Sequence, residues 1–160
     1  MSHLPVDHPL RGLYRGLTIV TGAASIAFGA TALATTSGNG FTDPEGEKVW
    51  GLMAANPAAG VLWIVVGAIA VLAALAGRNI DAKVNSVLGP VLWVVGTIGL
   101  CLIRGENNFL AWSVTNVCVM YLLGTLWFTA ALYSGVSGSQ PVSRPEAAGR
   151  VAEEALGAAK

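Results

Sequence analysis

Apolar residues in this chain run in four long stretches parted by short polar segments, with neither strict alternation nor a single apolar stripe. The first covers about Leu13 to Ala34 and the second about Pro57 to Ala76. The third runs from about Val84 to Ile103 and the fourth from about Leu110 to Tyr133. Apart from Arg15, in the first turn of the first stretch, no Asp, Glu, Lys, Arg or His falls inside any of them. Each matches the roughly 20 helical residues needed to cross ~30 Å of hydrocarbon. Lipid offers backbone groups no outside partner, so the stretches read as helices, and the lack of alternation excludes barrel strands. The pattern predicts an all-α, polytopic membrane protein with a four-helix transmembrane bundle over 13–134. Tails flank it at 1–12 and 135–160.

Composition sharpens this. Of 160 residues, 54% are apolar and 11% charged, against about 25% charged in soluble domains, too little charge to coat a water-soluble fold. Nine basic residues balance nine acidic ones, which leaves no electrostatic footprint for a nucleic acid.

The basic residues are unevenly placed. Arg11 and Arg15 sit at the start of the first span, Arg78 and Lys83 between the second and third, and Arg144, Arg150 and Lys160 follow the fourth. Only Lys48 and Arg104 fall on the other side. The bias predicts cytoplasmic termini. Trp50, Phe109 and Trp112 then mark the outer interface, and Tyr14 and Tyr133 the inner one. A cleavable signal ending at Ala32-Leu33-Ala34 is the alternative, but the first apolar stretch outruns the usual h-region of about 7–15 residues.

In the external loop, 35–56, Asp43-Pro44-Glu45 reads as a helix start, with an N-cap, a first-turn proline and an acid at the positive dipole end. It predicts a short interfacial helix over about 44–54. Beyond Tyr133, Ser134 to Pro145 reads as a flexible linker, and Glu146 to Lys160 as either a disordered tail or a segment that folds on a partner.

Small residues recur seven apart in every span: Gly22 and Gly29, Gly60 and Gly67, Gly89 and Gly96, Gly124 and Ala131. Two turns of spacing puts each pair on one face, where a neighbouring backbone can approach, and predicts left-handed crossings. Val61 to Gly67 also resembles Val91 to Gly96 in an oppositely directed span, a likeness that reads either as inverted symmetry or, in preference, as the common composition of membrane helices.

Candidate chemistry is sparse. Beyond Arg15 at the start of the first, the spans lack the charges of a proton relay or ion path, and His3 and His8 both precede the first span. Cys101 and Cys118 are placed at different depths, as buried, inert thiols and not a disulfide. No phosphate loop, nucleophile elbow or zinc-protease motif occurs. The expectation is a protein that is not an enzyme and holds no cofactor or metal. Asn116 and Tyr121 in the fourth span, with Trp63 and Trp93, remain as candidates for a ligand contact or an interhelical polar contact.

The chain resembles the domain-of-unknown-function 4383 family of small actinobacterial four-helix membrane proteins. Asn56-Pro57 matches the family's Asn-Pro at the mouth of the second span, and Gly67 and Gly124 match its span glycines. Gly60 stands where the family has Asn; Trp63 and Met120 stand where it has His. The resemblance implies this architecture and a bacterial cytoplasmic (inner) membrane setting, and assigns no activity.

The resulting expectation is a multi-pass, non-catalytic protein, an accessory or structural subunit packing against a larger respiratory or envelope assembly. Its expected partners are membrane lipid and other membrane subunits or a second copy of itself. The alternative is a binder or conduit for a neutral lipid or quinone within the bundle.

Overall fold

The computed structural model describes residues 7–105 and 107–136. Helix α1 spans Arg11–Thr35, α2 Pro57–Ala76, α3 Ile80–Leu102 and α4 Val114–Tyr133. Between α1 and α2 lie strands β1, Glu47–Val49, and β2, Met53–Ala55. All four helices are long and apolar enough to cross a membrane; the shortest have 20 residues, or about 30 Å at 1.5 Å per residue. Most of the linker and tail expected over 135–160, and the first six residues of the N-terminal tail, lie outside the described residues.

Local chemistry sets the helix ends. Asn56, in extended backbone, accepts the Ala59 N–H through its side chain at 2.8 Å, with Pro57 in the first turn. That pairing supplies one orphan amide with an acceptor where proline removes another. Gly77 stops α2 at φ +61°, its N–H returning to the Ala73 carbonyl. Ser113 begins α4, later than the expected start at Leu110. Just before it, Asn108 and Trp112 exchange two hydrogen bonds, of 2.7 and 3.1 Å, and Ala111 adopts φ +50°. That compact turn replaces the first helical turn. Helix α3 instead starts early, bringing Asp81 and Lys83 into its first turns, and α1 includes Arg11 and Arg15. The helices therefore carry Arg11, Asp81 and Lys83 as well as the Arg15 already inside the first apolar stretch.

The short interfacial helix expected over 44–54 is an antiparallel hairpin, with Val49 opposite Met53 and Glu47 opposite Ala55. Asp43 does accept a local N–H, from Glu45 at 3.0 Å, but the bond closes an isolated Asx turn. Gly46 then turns to φ +56° and packs on Ala111 and the Ala55 carbonyl. Trp50 and Gly51 both have positive φ, +55° and +70°, as a mirror-image turn requires. The Leu52 N–H closes it on the Val49 carbonyl at 3.2 Å. Val49, Met53 and Ala55 face inward. Burying that alternate set outweighed a helix start signalled by three residues.

The helices associate as two close antiparallel pairs, α1 with α2 and α3 with α4, which meet each other more loosely. Phe28, Trp63, Met120 and Trp127 fill the space between the pairs.

Candidate functional site

The small residues predicted as seams account for both close pairs. In α1 and α2, Gly22 lies opposite Gly67 and Gly29 opposite Gly60; a Cβ on Gly22 would stand 3.0 Å from the Gly67 carbonyl oxygen. A Cβ on Gly89 would stand 2.7 Å from the Gly124 carbonyl oxygen. Gly96 is less crowded, with Met120 Cβ 3.4 Å from the added carbon, and Ala131 is buried in α4. These faces are occupied within one chain.

The four candidate contact residues do not converge. Asn116 is buried at the hairpin end, where its amide donates to the Ala54 carbonyl at 2.8 Å and its side-chain oxygen takes the Ser113 hydroxyl. It anchors β2 to α4. Tyr121 and Trp93 lie on an outward α3/α4 face, Tyr121 bonded to the Thr97 hydroxyl at 2.8 Å and Trp93 donating to Thr125 at 3.3 Å. Trp63 alone of the four lines either of the two spaces described between the helix pairs. Asn56 does the same anchoring work as Asn116: its amide donates to the Asp43 carbonyl at 3.0 Å and the Phe109 carbonyl at 2.9 Å, joining both loops at that end.

Two expectations fail at the surface. Cys101 and Cys118 are free and exposed, not buried, because each falls on the outward face of its helix. Trp112 is buried, its ring filling the gap beside Gly99, where an interfacial position was expected. Trp50 and Phe109 are exposed.

Sequence reasoning missed a polar cluster at the opposite end. Asp81 is 1% exposed, and its Oδ2 lies 3.8 Å from Arg11 Nη2 and 3.7 Å from Arg15 Nε. Arg15 donates twice to the Ala74 carbonyl, at 2.6 and 3.0 Å, and Arg11 once to the Ser134 carbonyl at 3.1 Å. The arginines thus cap the C-terminal ends of α2 and α4, where the dipoles favour cations, and Asp81 sits at the opposite pole of α3. One turn deeper, Asn85 donates to the Thr18 hydroxyl at 3.3 Å. Asn79 exchanges two bonds with Val136, of 2.6 and 2.9 Å, fastening the α2–α3 turn to the chain after α4. Four helix ends are clasped here. The signal was present: Arg11 and Arg15, and Asp81 and Asn85, are each four apart and so share a helix face.

Between the pairs lies an apolar crevice of about 150 Å³. Thr21, Ala24, Ser25 and Phe28 of α1 form one wall, Val119 and Leu123 of α4 the other, and Trp63 the back. Trp50 and Met53 of the hairpin close its upper end. Phe28 meets both Trp50 and Trp63 edge to face, at 5.4 and 5.9 Å between ring centres. A smaller space of about 50 Å³ lies between α2 and α3, on Leu62, Trp63 and Met120 among others.

Comparison of the chain with protein families, curated proteins and solved structures finds no match.

Proposed function

We propose that the chain is a non-catalytic subunit of the bacterial cytoplasmic (inner) membrane that packs against a larger membrane complex. One observation carries the reading. The hairpin and its neighbouring loops present Phe41, Trp50, Leu52 and Phe109 outward, each at least half exposed. They are held there by a buried asparagine framework rather than by their own burial. Exposed apolar groups on a stiff scaffold suit a docking surface. In this reading the basic residues set the clasp end toward the cytoplasm and the hairpin outside. The kinship with the domain-of-unknown-function 4383 family is part of the proposal; Asn56-Pro57, which carries it, is the N-cap and first residue of α2.

Extraction of the tagged protein into nanodiscs, followed by mass spectrometry, tests it. A stoichiometric complex that dissociates with Trp50→Ser/Leu52→Ser while the bundle stays folded is the expected result. Recovery of the chain alone overturns it. Orientation has a separate check in a Cys101→Ala/Cys118→Ala background, where external maleimide is expected to label Glu45→Cys and not Arg150→Cys.

A second reading, a binder of a neutral lipid or quinone, is favoured by the crevice between α1 and α4.

A further inference from the structure

The geometry points to the crevice as a binding site for one hydrocarbon tail of a bilayer lipid, entering sideways between α1 and α4. This rests on the second reading above and narrows it from lipid or quinone to an alkyl or isoprenyl chain.

Shape is the first argument. The α1 wall runs from Thr21 to Phe28, about 10 Å along the helix, yet the volume is only about 150 Å³. A cavity of ~150 Å³ lined by apolar side chains stays dry and takes a guest of about benzene size. Drawn out over two helical turns, the same volume suits a chain better than a substituted ring.

Chemistry is the second. The two hydroxyls in the lining point their protons back into α1. Thr21 donates to the Leu17 carbonyl at 2.7 Å and accepts the Trp127 indole N–H at 2.9 Å. Ser25 donates to the Thr21 carbonyl at 2.9 Å. Neither has a proton left for a quinone carbonyl; the remaining polar groups among the described lining residues are the indole N–H groups of Trp50 and Trp63, and no ionisable side chain lines the space there.

Access is the third. The two seams close each helix pair, so the opening lies between pairs, where Ala24 is exposed at the lip. In the membrane reading that lip faces hydrocarbon, and the neighbouring medium is lipid tails. Trp50 stands at the upper end at φ +55°, a conformation that a bulky residue rarely adopts. The tight turn holds its ring over Phe28 and limits entry from above, which leaves the lateral route.

The test is photo-crosslinking of the intact protein in nanodiscs of phosphatidylcholine doped with one of two probes, followed by peptide mapping. One probe is a phosphatidylcholine with a mid-chain diazirine; the other is a ubiquinone analogue with a photoreactive ring. The tail probe is expected to label Thr21–Phe28 and Val119–Leu123 at least fivefold more than the outward face of α3, Val87–Ile98. Ala24→Phe, which fills the lip without touching either glycine seam, is expected to abolish that excess while the α3 background is unchanged. Uniform labelling of all helices, or an excess that survives Ala24→Phe, overturns the proposal and the binder reading together. An excess obtained only with the quinone ring keeps the binder reading and overturns the tail.

Discussion

The sharpest consequence of the seam geometry is that glycines of the same heptad pattern differ in what they tolerate. At Gly60 an added Cβ would meet α1 backbone, 2.9 Å from the Gly29 carbonyl oxygen and 3.2 Å from the Leu33 amide nitrogen. Backbone cannot rotate aside, so Gly60→Ala forces α1 and α2 apart by several tenths of an ångström over much of their contact. Overpacking of this kind costs about 1–3 kcal/mol, against a helix-propensity gain of about 1 kcal/mol for replacing glycine with alanine. The net expectation is a loss of about 0–2 kcal/mol, centred near 1. At Gly96 the nearest contact is Met120 Cβ at 3.4 Å, and the nearest backbone atom, the Val117 carbonyl oxygen, stands at 3.9 Å. Gly96→Ala is therefore neutral or stabilising by up to about 1 kcal/mol. The two variants should differ by about 2 kcal/mol, roughly 30-fold in the ratio of folded to unfolded protein. Titration from mild detergent into sodium dodecyl sulfate, followed by circular dichroism, reads the midpoints. Equal midpoints, or a lower one for Gly96→Ala, would refute the assignment of Gly60 to a close backbone crossing.

At the clasp, Arg15→Ala leaves Asp81 buried with one counter-charge fewer and frees the Ala74 carbonyl, and is expected to cost about 3 kcal/mol. Asp81→Asn leaves two partly exposed arginines still capping helix ends and should cost about half as much; the reverse order in the same titration would count against the clasp. Asn116→Ala removes the bond to Ala54 without touching a seam. Amide hydrogen exchange should quicken over 47–55 by about tenfold, matching about 1–1.5 kcal/mol for a lost buried hydrogen bond, with α1 and α2 protection unchanged. Gly51→Ala puts a side chain at φ +70° and is expected to cost about 1 kcal/mol, seen as faster exchange in the same segment.

The helices were legible because apolar run length is a strong signal and the caps reinforce it: Pro57 and Ala76 bound α2 in sequence and structure alike. The seam glycines were legible from spacing alone, although which helix each faced was not. Elsewhere local signals lost to longer-range ones. Asp43 carries the chemistry of an N-cap, yet Gly46 and the inward set Val49, Met53 and Ala55 turn the chain into a hairpin. Asp81 and Lys83 looked like loop residues because a charge ended the apolar run. Their helix continues because Asp81 meets Arg11 and Arg15 from α1, partners about 70 positions earlier in the chain. Trp63 was singled out with three residues that the fold places elsewhere, since residue type carries no information on which sides two helices present to each other.

The crevice follows from how the pairs are built. Glycine seams bring α1 to α2 and α3 to α4 at backbone contact, so each pair behaves as one stiff unit and little room is left inside it. Joining two such units is left to large side chains, Phe28, Trp63, Met120 and Trp127, which cannot interlock as closely as glycine faces do. The ends are then fixed by polar devices of opposite character: charge at the clasp, asparagine amides at the hairpin. Both ends are thus fastened, and the residual space opens between α1 and α4. The fastening of the ends is expected to keep the crevice open. Loosening the clasp should therefore change the crevice before it unfolds either pair: Arg15→Ala is expected to alter tail-probe labelling at Val119–Leu123 at detergent concentrations where circular dichroism still reports intact helices. Labelling that changes only when the helices melt would show that the crevice is set by local packing instead.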